Sequence, residues 1–119
     1  MTRPTSSLGP STRSVHGAEG VDRATRSLVP PIVTNSAFAY PDVETWRAVA
    51  RGESEGHIYT RNSNPTTDRL EAKLALLEGA AAATSFTTGM AAISTTLFAL
   101  LGPGDRVVTV ADTYGGTFL

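Results

Sequence analysis

Tyr59 and Arg61 stand two residues apart in the densest stretch of the sequence, His57-Ile58-Tyr59-Thr60-Arg61-Asn62-Ser63-Asn64-Pro65-Thr66. In an extended backbone that spacing puts both side chains on one face, where a planar guanidinium fork and a phenolic donor suit a phosphate. The plainer alternative is a surface arginine beside a half-buried tyrosine. A second candidate is the turn Thr87-Thr88-Gly89-Met90, between a short apolar run and the start of an apolar helical pattern. Backbone N–H groups at such a helix start are unpaired and sit at the positive end of the helix dipole, and a glycine lets an anion approach closely. Glycine there also serves merely to turn the corner from strand to helix. The third is Tyr114, followed by Gly115 and Gly116 at the end of a second apolar run, the edge where ligands bind in open α/β sheets. A packed aromatic is its plainer reading.

Other chemistries drop out. Neither G-x-G-x-x-G nor G-x-x-x-x-G-K-[ST] occurs, so dinucleotide and P-loop sites lack their glycine-rich cradle. With no cysteine, disulfides, thiolate metal sites, iron–sulfur clusters and thiol nucleophiles are excluded. The basic residues are arginines except for Lys73, so any lysine chemistry falls to that residue. Its place between Glu71 and Leu74, off the apolar stripe, reads as a solvated surface charge. His16 and His57 have no acid, base or metal partner at meaningful spacing, and no metal site is expected. Ten basic residues against eleven acidic ones remove nucleic acid and anionic membrane as main partners, because such binding needs clustered Lys and Arg. At 119 residues, 40% hydrophobic and 18% charged, the composition reads as a soluble globular chain of at most one domain, with no apolar run of membrane-spanning length.

The elements that must position these residues follow from local signals. Residues 1–27 hold Pro4, Pro10, four arginines and no acid before Glu19, which reads as an arm without a core of its own. Its Arg- and Ser-rich start resembles a transit peptide, but Pro4, Gly9 and Pro10 interrupt an amphipathic helix. Leu28 to Phe38, through Pro30-Pro31, is extended. Asp42 caps a helix with Val43, Trp46 and Val49 on one face, ended by Gly52. Asn64-Pro65 opens a second helix with Leu70, Leu74 and Leu77 as its buried stripe and Gly79 as its stop. Ala80 to Phe86 reads as a strand. A helix with Met90, Ile93, Leu97 and Leu100-Leu101 on its face follows from Thr88-Gly89, then the turn Gly102-Pro103-Gly104-Asp105. Arg106 to Ala111 reads as a second strand. Strand, helix, strand is a right-handed βαβ unit, so the class is α/β. That unit is only the beginning of a sheet, and the sequence stops at Phe118-Leu119 inside a new element, which reads as a fragment.

Together the segments resemble the N-terminal part of the pyridoxal-phosphate enzymes of cysteine and methionine metabolism: cystathionine γ-synthase, cystathionine lyases, O-acylhomoserine sulfhydrylases and methionine γ-lyase. The resemblance is carried by Thr12-Arg13-Ser14-Val15-His16, Pro30-Pro31-Ile32, Tyr59-Thr60-Arg61 with Asn64-Pro65-Thr66, Leu77-Glu78-Gly79, Thr88-Gly89-Met90-Ala91-Ala92-Ile93, Gly104-Asp105 and Tyr114-Gly115-Gly116-Thr117, in that order. It implies an arm and linker helix over 1–57 that reach another subunit. It also implies, over 58–119, the first βαβ part of a fold-type I, aspartate aminotransferase-like cofactor domain.

The same resemblance implies roles. Thr88, where the family more often has serine, would hold the phosphate of pyridoxal phosphate with Gly89 and Met90. Tyr59 and Arg61 would reach the same phosphate of the neighbouring subunit, in a homo-oligomer built as a dimer of dimers. Tyr114 would stack on the pyridine ring, its hydroxyl carrying a proton toward the leaving group. The reaction implied is β/γ-elimination or γ-replacement on a sulfur-containing amino acid or homoserine ester, in the cytoplasm. Methionine γ-lyases commonly have Cys where Gly116 stands, which tilts the reading toward the cystathionine or sulfhydrylase branches. The family's Schiff-base lysine, its pyridine-pairing aspartate and its carboxylate-binding arginine fall beyond residue 119, and Lys73 does not match that lysine. The fragment alone is therefore expected to be inert.

Two rival classes are weighed beside this. A different phosphate-binding α/β enzyme would share only the turn at Thr88-Gly89 and leave Tyr59 and Arg61 without a role. A non-catalytic interaction module would bind a partner through exposed apolar elements.

Overall fold

The computed structural model describes residues 8–18, 20–22 and 24–118; the Pro4, Glu19 and Leu119 invoked above lie outside the described residues. Five helices occur among them: α1 (Pro10–His16), α2 (Val43–Ala50), α3 (Pro65–Glu78), α4 (Gly89–Leu100) and α5 (Gly115–Phe118). The chain separates into two compact units, Met1–Ala83 with α1 to α3 and Thr84–Leu119 with α4 and α5. This is a division by packing; the division at 57/58 is one of role and is taken up below. No helix among the described residues is long and apolar enough to cross a membrane.

Three helices begin as their sequences dictate. Asp42 accepts from the Thr45 N–H at 2.7 Å, Asn64 from Thr66 N–H at 2.8 Å, and Thr88 from Ala91 N–H at 3.0 Å. Each silences one of the amide donors that a helix start leaves unpaired. At the other end of α3, Gly79 takes φ 67°, the left-handed geometry that a Cβ disfavours. The Gly102–Asp105 turn is closed by Asp105 N–H to Gly102 C=O at 3.1 Å and by Gly102 N–H to the Asp105 carboxylate at 2.7 Å.

The described part of the arm is more ordered than its composition suggests. Pro10 does not break a helix but starts one, because the first helical position needs no N–H. α1 then packs on α3 at Gly17, where a Cβ would collide with the Leu76 side chain. Asp22 continues the attachment. It accepts from the Thr25 N–H and hydroxyl, both at 2.8 Å, and its carboxylate stands 3.4 Å from Arg69 on α3. Arg69 and Leu76 are seven residues apart and so share one helix face.

That docking decides which face of α3 is covered. Ala75 is the buried residue of the helix, whereas Leu70, Leu74 and Leu77 remain 50%, 41% and 39% exposed. The leucine stripe expected to be the core is therefore not covered within this chain. Lys73, on the arm-facing side with Arg69 and Leu76, is partly buried rather than fully solvated.

Neither apolar run expected as a strand belongs to one. Among the described residues the only β pairing is an isolated antiparallel bridge between Ala37 and Tyr59. Residues 80–86 and 106–111 lie outside any ladder, and Val108 is 98% exposed. The reason is physical: β propensity records fit to a pleated, half-buried surface, and a parallel pair has no stability without neighbours and covering helices.

Candidate functional site: an open helix start and a braced Tyr59–Arg61 turn

In the first unit, residues 33–40 run back along residues 57–66 and hold them with side chains as much as with backbone. Phe38 N–H donates to Ile58 C=O at 3.2 Å and Thr60 N–H to Ser36 C=O at 2.8 Å. The Tyr40 phenol takes both backbone groups of His57, donating to its C=O at 2.9 Å and accepting from its N–H at 3.1 Å. Asn64, only 3% exposed, is the hub. Its Oδ1 caps α3, while Nδ2 donates to Val33 C=O at 3.2 Å and to the Thr60 hydroxyl at 3.1 Å. Val33 N–H in turn donates to the Thr66 hydroxyl at 2.9 Å. One buried carboxamide thus joins the helix start, the preceding turn and the returning strand-like segment.

This brace carries Tyr59 and Arg61. The backbone turns after Tyr59, with Asn62 N–H donating to Tyr59 C=O at 2.9 Å, so the two side chains are not set side by side by an extended chain. The turn instead lays the Arg61 guanidinium over the Tyr59 ring, Cζ 5.1 Å from the centroid. Arg61 is exposed and Tyr59 is 42% exposed, so both heads face outward from the brace.

His57 does have an acid partner, contrary to its reading as an isolated residue. Its Nδ1 lies 2.9 Å from the Ser63 hydroxyl and its Nε2 3.6 Å from the Asp68 carboxylate, with the ring 5.3 Å from Phe38. The contact spans eleven residues. The signal that points to it is the helix start at Asn64-Pro65, which turns the chain and brings the first turn of α3 back toward residue 57.

In the second unit, Thr88, Gly89, Met90, Ile93 and Tyr114 line one cavity of about 400 Å³. Thr88 uses a lone pair to cap α4, which leaves its hydroxyl hydrogen available outward. The N–H groups of Gly89 and Met90 find no acceptor among the described residues and open at the positive end of the helix. A Cβ placed on Gly89 meets nothing within 4 Å, so the mouth of this cradle is open. α5 fixes Tyr114 beside it: Thr117 N–H donates to Tyr114 C=O at 2.8 Å, and the Thr117 hydroxyl meets the Met90 sulfur at 3.5 Å. The arrangement can hold a dianion at the helix start and a flat ring against Tyr114. A further cavity of about 330 Å³ beside Trp46 and Ile58 has no charged residue in its lining.

Residues 11–119 match the family model described as Cys/Met metabolism PLP-dependent enzyme. The chain belongs to that family. Among curated proteins of the Cys/Met metabolism family, it is 41% identical over 111 residues to the L-methionine gamma-lyase of Pseudomonas deceptionensis, covering 93% of this chain and 28% of that one. It is 44% identical over 110 residues to the cystathionine gamma-synthase of Mycobacterium tuberculosis strain H37Rv, covering 92% and 26%. A solved chain from Campylobacter jejuni carrying a pyridoxyl-lysine monophosphate superposes with a TM-score of 0.84 at 36% identity, over 93% of this chain and 27% of that one. The chain thus spans about a quarter of the length of the relatives it matches. The family's cofactor, pyridoxal phosphate, offers the two chemical parts that the α4 cavity suits, a phosphate and a flat pyridine ring.

Proposed function

We propose that this chain is the N-terminal part of a cytoplasmic pyridoxal-phosphate enzyme of sulfur amino-acid metabolism, catalysing β/γ-elimination or γ-replacement of the cystathionine γ-synthase or lyase type. O-acylhomoserine sulfhydrylase and methionine γ-lyase activity are the alternatives within the family. When bound, the cofactor supplies an electron sink for bonds at the substrate's Cα. The chain's own residues bind and orient it. Gly89 and Met90 N–H and the Thr88 hydroxyl would hold the phosphate, and Tyr114 would stack on the ring, its hydroxyl moving a proton toward the leaving group. Tyr59 and Arg61 extend to the phosphate in the neighbouring subunit of a dimer, two of which form a tetramer.

In this reading residues 1–57 are an arm and linker between subunits and residues 58–119 open the cofactor domain. There the two apolar runs flanking α4 find the neighbours that make them parallel strands. The 119 residues alone are inert, because the lysine that makes the covalent bond to the cofactor in this chemistry is not Lys73.

The single observation that carries this reading is the α4 start, where a threonine cap, two unpaired amides and Tyr114 converge on one cavity. The test mixes two variant subunits of the intact enzyme, Arg61→Ala and Gly89→Val, at a cofactor concentration too low to load either variant alone. Sites shared between subunits leave each mixed dimer one undamaged site, and up to half the activity per dimer returns. Sites built within one subunit leave a lesion in both, and no recovery overturns the shared arrangement.

A further inference from the structure

Between Tyr59 and Arg61, Thr60 is the residue whose side chain the brace holds. The Thr60 hydroxyl donates to Asn35 C=O at 2.6 Å and accepts from Asn64 Nδ2 at 3.1 Å, while its N–H donates to Ser36 C=O at 2.8 Å. Asn64, the donor into this relay, is 3% exposed and is itself fixed by Val33 C=O and the cap of α3. The Asn64–Thr60–Asn35 chain therefore runs from a buried hub, through one hydroxyl, to the returning segment.

Thr60 is β-branched, so its χ1 is stiff, and a hydroxyl held on both sides leaves it one rotamer. Holding that side chain and its N–H holds the Tyr59–Thr60 peptide plane and the Thr60 Cα from which the chain turns on to Arg61. Among the described residues the two outward heads meet each other, through the 5.1 Å stack. A long arginine that must be ordered at the moment of binding weakens binding by the entropy of that ordering, and a braced backbone reduces the cost.

We propose that Thr60 is a positioning residue for phosphate binding, its hydroxyl relay holding Tyr59 and Arg61 in the orientation in which they meet the cofactor phosphate. This rests on the reading of Tyr59 and Arg61 given under Proposed function.

The test uses the intact apoenzyme, titrated spectroscopically with pyridoxal phosphate and, separately, with pyridoxal, which has the ring and aldehyde but no phosphate. Thr60→Val removes the hydroxyl at constant shape, Thr60→Ala removes it without a branched side chain that could misfit, and Thr60→Ser keeps it. The expected result is a loss of about two- to tenfold in affinity for pyridoxal phosphate in both hydroxyl-free variants, the range for ordering one side chain on binding. Affinity for pyridoxal stays unchanged, and Thr60→Ser binds as the parent does. With Tyr59→Phe and Arg61→Ala both in place Thr60→Val adds no further loss, because the two groups it positions are gone. Equal losses for both ligands, or parental affinity in the Val and Ala variants, overturn the positioning role. If Arg61→Ala lowers phosphate-dependent affinity while Thr60→Val does not, only this inference falls. If Arg61→Ala itself leaves the preference for pyridoxal phosphate over pyridoxal intact, the reading of the Tyr59–Arg61 pair falls and this inference with it.

Discussion

The guanidinium of Arg61 lies over the ring of Tyr59, 5.1 Å from its centroid, so the fork and the phenol form one unit before any ligand arrives. Such a stack at an exposed site is worth about 0.5–1 kcal/mol. Arg61→Ala in the intact enzyme is expected to cost about 1.5–3 kcal/mol of cofactor affinity, the range for a hydrogen bond to a charged group. Arg61→Lys recovers only part, since an ammonium cannot bind in bidentate fashion. Titration of the apoenzyme with pyridoxal phosphate measures both, and unchanged affinity in the alanine variant removes Arg61 from the site.

Gly116 is constrained by the ring it lies against. A Cβ there would stand 2.7 Å from Tyr114 Cε1, so either the ring or the backbone of α5 must shift. Gly116→Ala is therefore expected to push the Tyr114 ring off its present position and to lose stacking on the cofactor, on the order of 0.5–1.5 kcal/mol. Cofactor affinity together with the Tyr114 ring resonances tests this. A ring that stays in place with full affinity shows that α5 yields instead.

The cap of α2 titrates. The Thr45 N–H bonded to Asp42 holds its carboxyl below the ordinary value of 3.8. The folded value lies below the unfolded one, so the cap's contribution is fully present above that ordinary value and is lost as pH falls through the lower folded value. Asp42→Asn keeps an accepting oxygen and removes the pH dependence. The Thr45 amide shift followed by NMR through the acid range is the measurement, and an amide indifferent to pH in the parent contradicts the cap.

Protection in the 119-residue chain is expected to be uneven. Residues 80–86 and 106–111 lie outside any ladder, so most of their amides should exchange rapidly, whereas those of α3 beneath the docked arm should exchange more slowly. Hydrogen exchange with mass spectrometry reads this directly. Slow, cooperative protection across residues 80–111 would show that the two runs pair without further strands.

What was legible in the sequence is what short-range chemistry decides. Asp42, Asn64 and Thr88 each accept from an amide two or three residues on, and Gly79 needs only its own φ, so all four could be read from their neighbours. The helix start at Thr88-Gly89 was legible for the same reason, whereas the His57–Asp68 pair depends on a turn and a helix start acting together. Periodicity identified α3 but misjudged its covered side, because the arm comes down on α3 at Gly17, the C-cap of α1, against Leu76 and leaves Leu70, Leu74 and Leu77 exposed. The two apolar runs show the largest gap: their residue types favour a sheet, yet a ladder is a property of the neighbours.

The adjacency of Asn64 and Pro65 bears on how the protein ages. An asparagine side chain loses its amide chiefly when the nitrogen of the next residue, once deprotonated, attacks the carboxamide and closes a five-membered imide. Pro65 has no N–H to give up, so that route is closed at the one carboxamide on which the brace depends. The same proline that starts α3 thus protects against slow conversion of Asn64 to aspartate, a change that would turn the donor facing Thr60 and Val33 into a second acceptor.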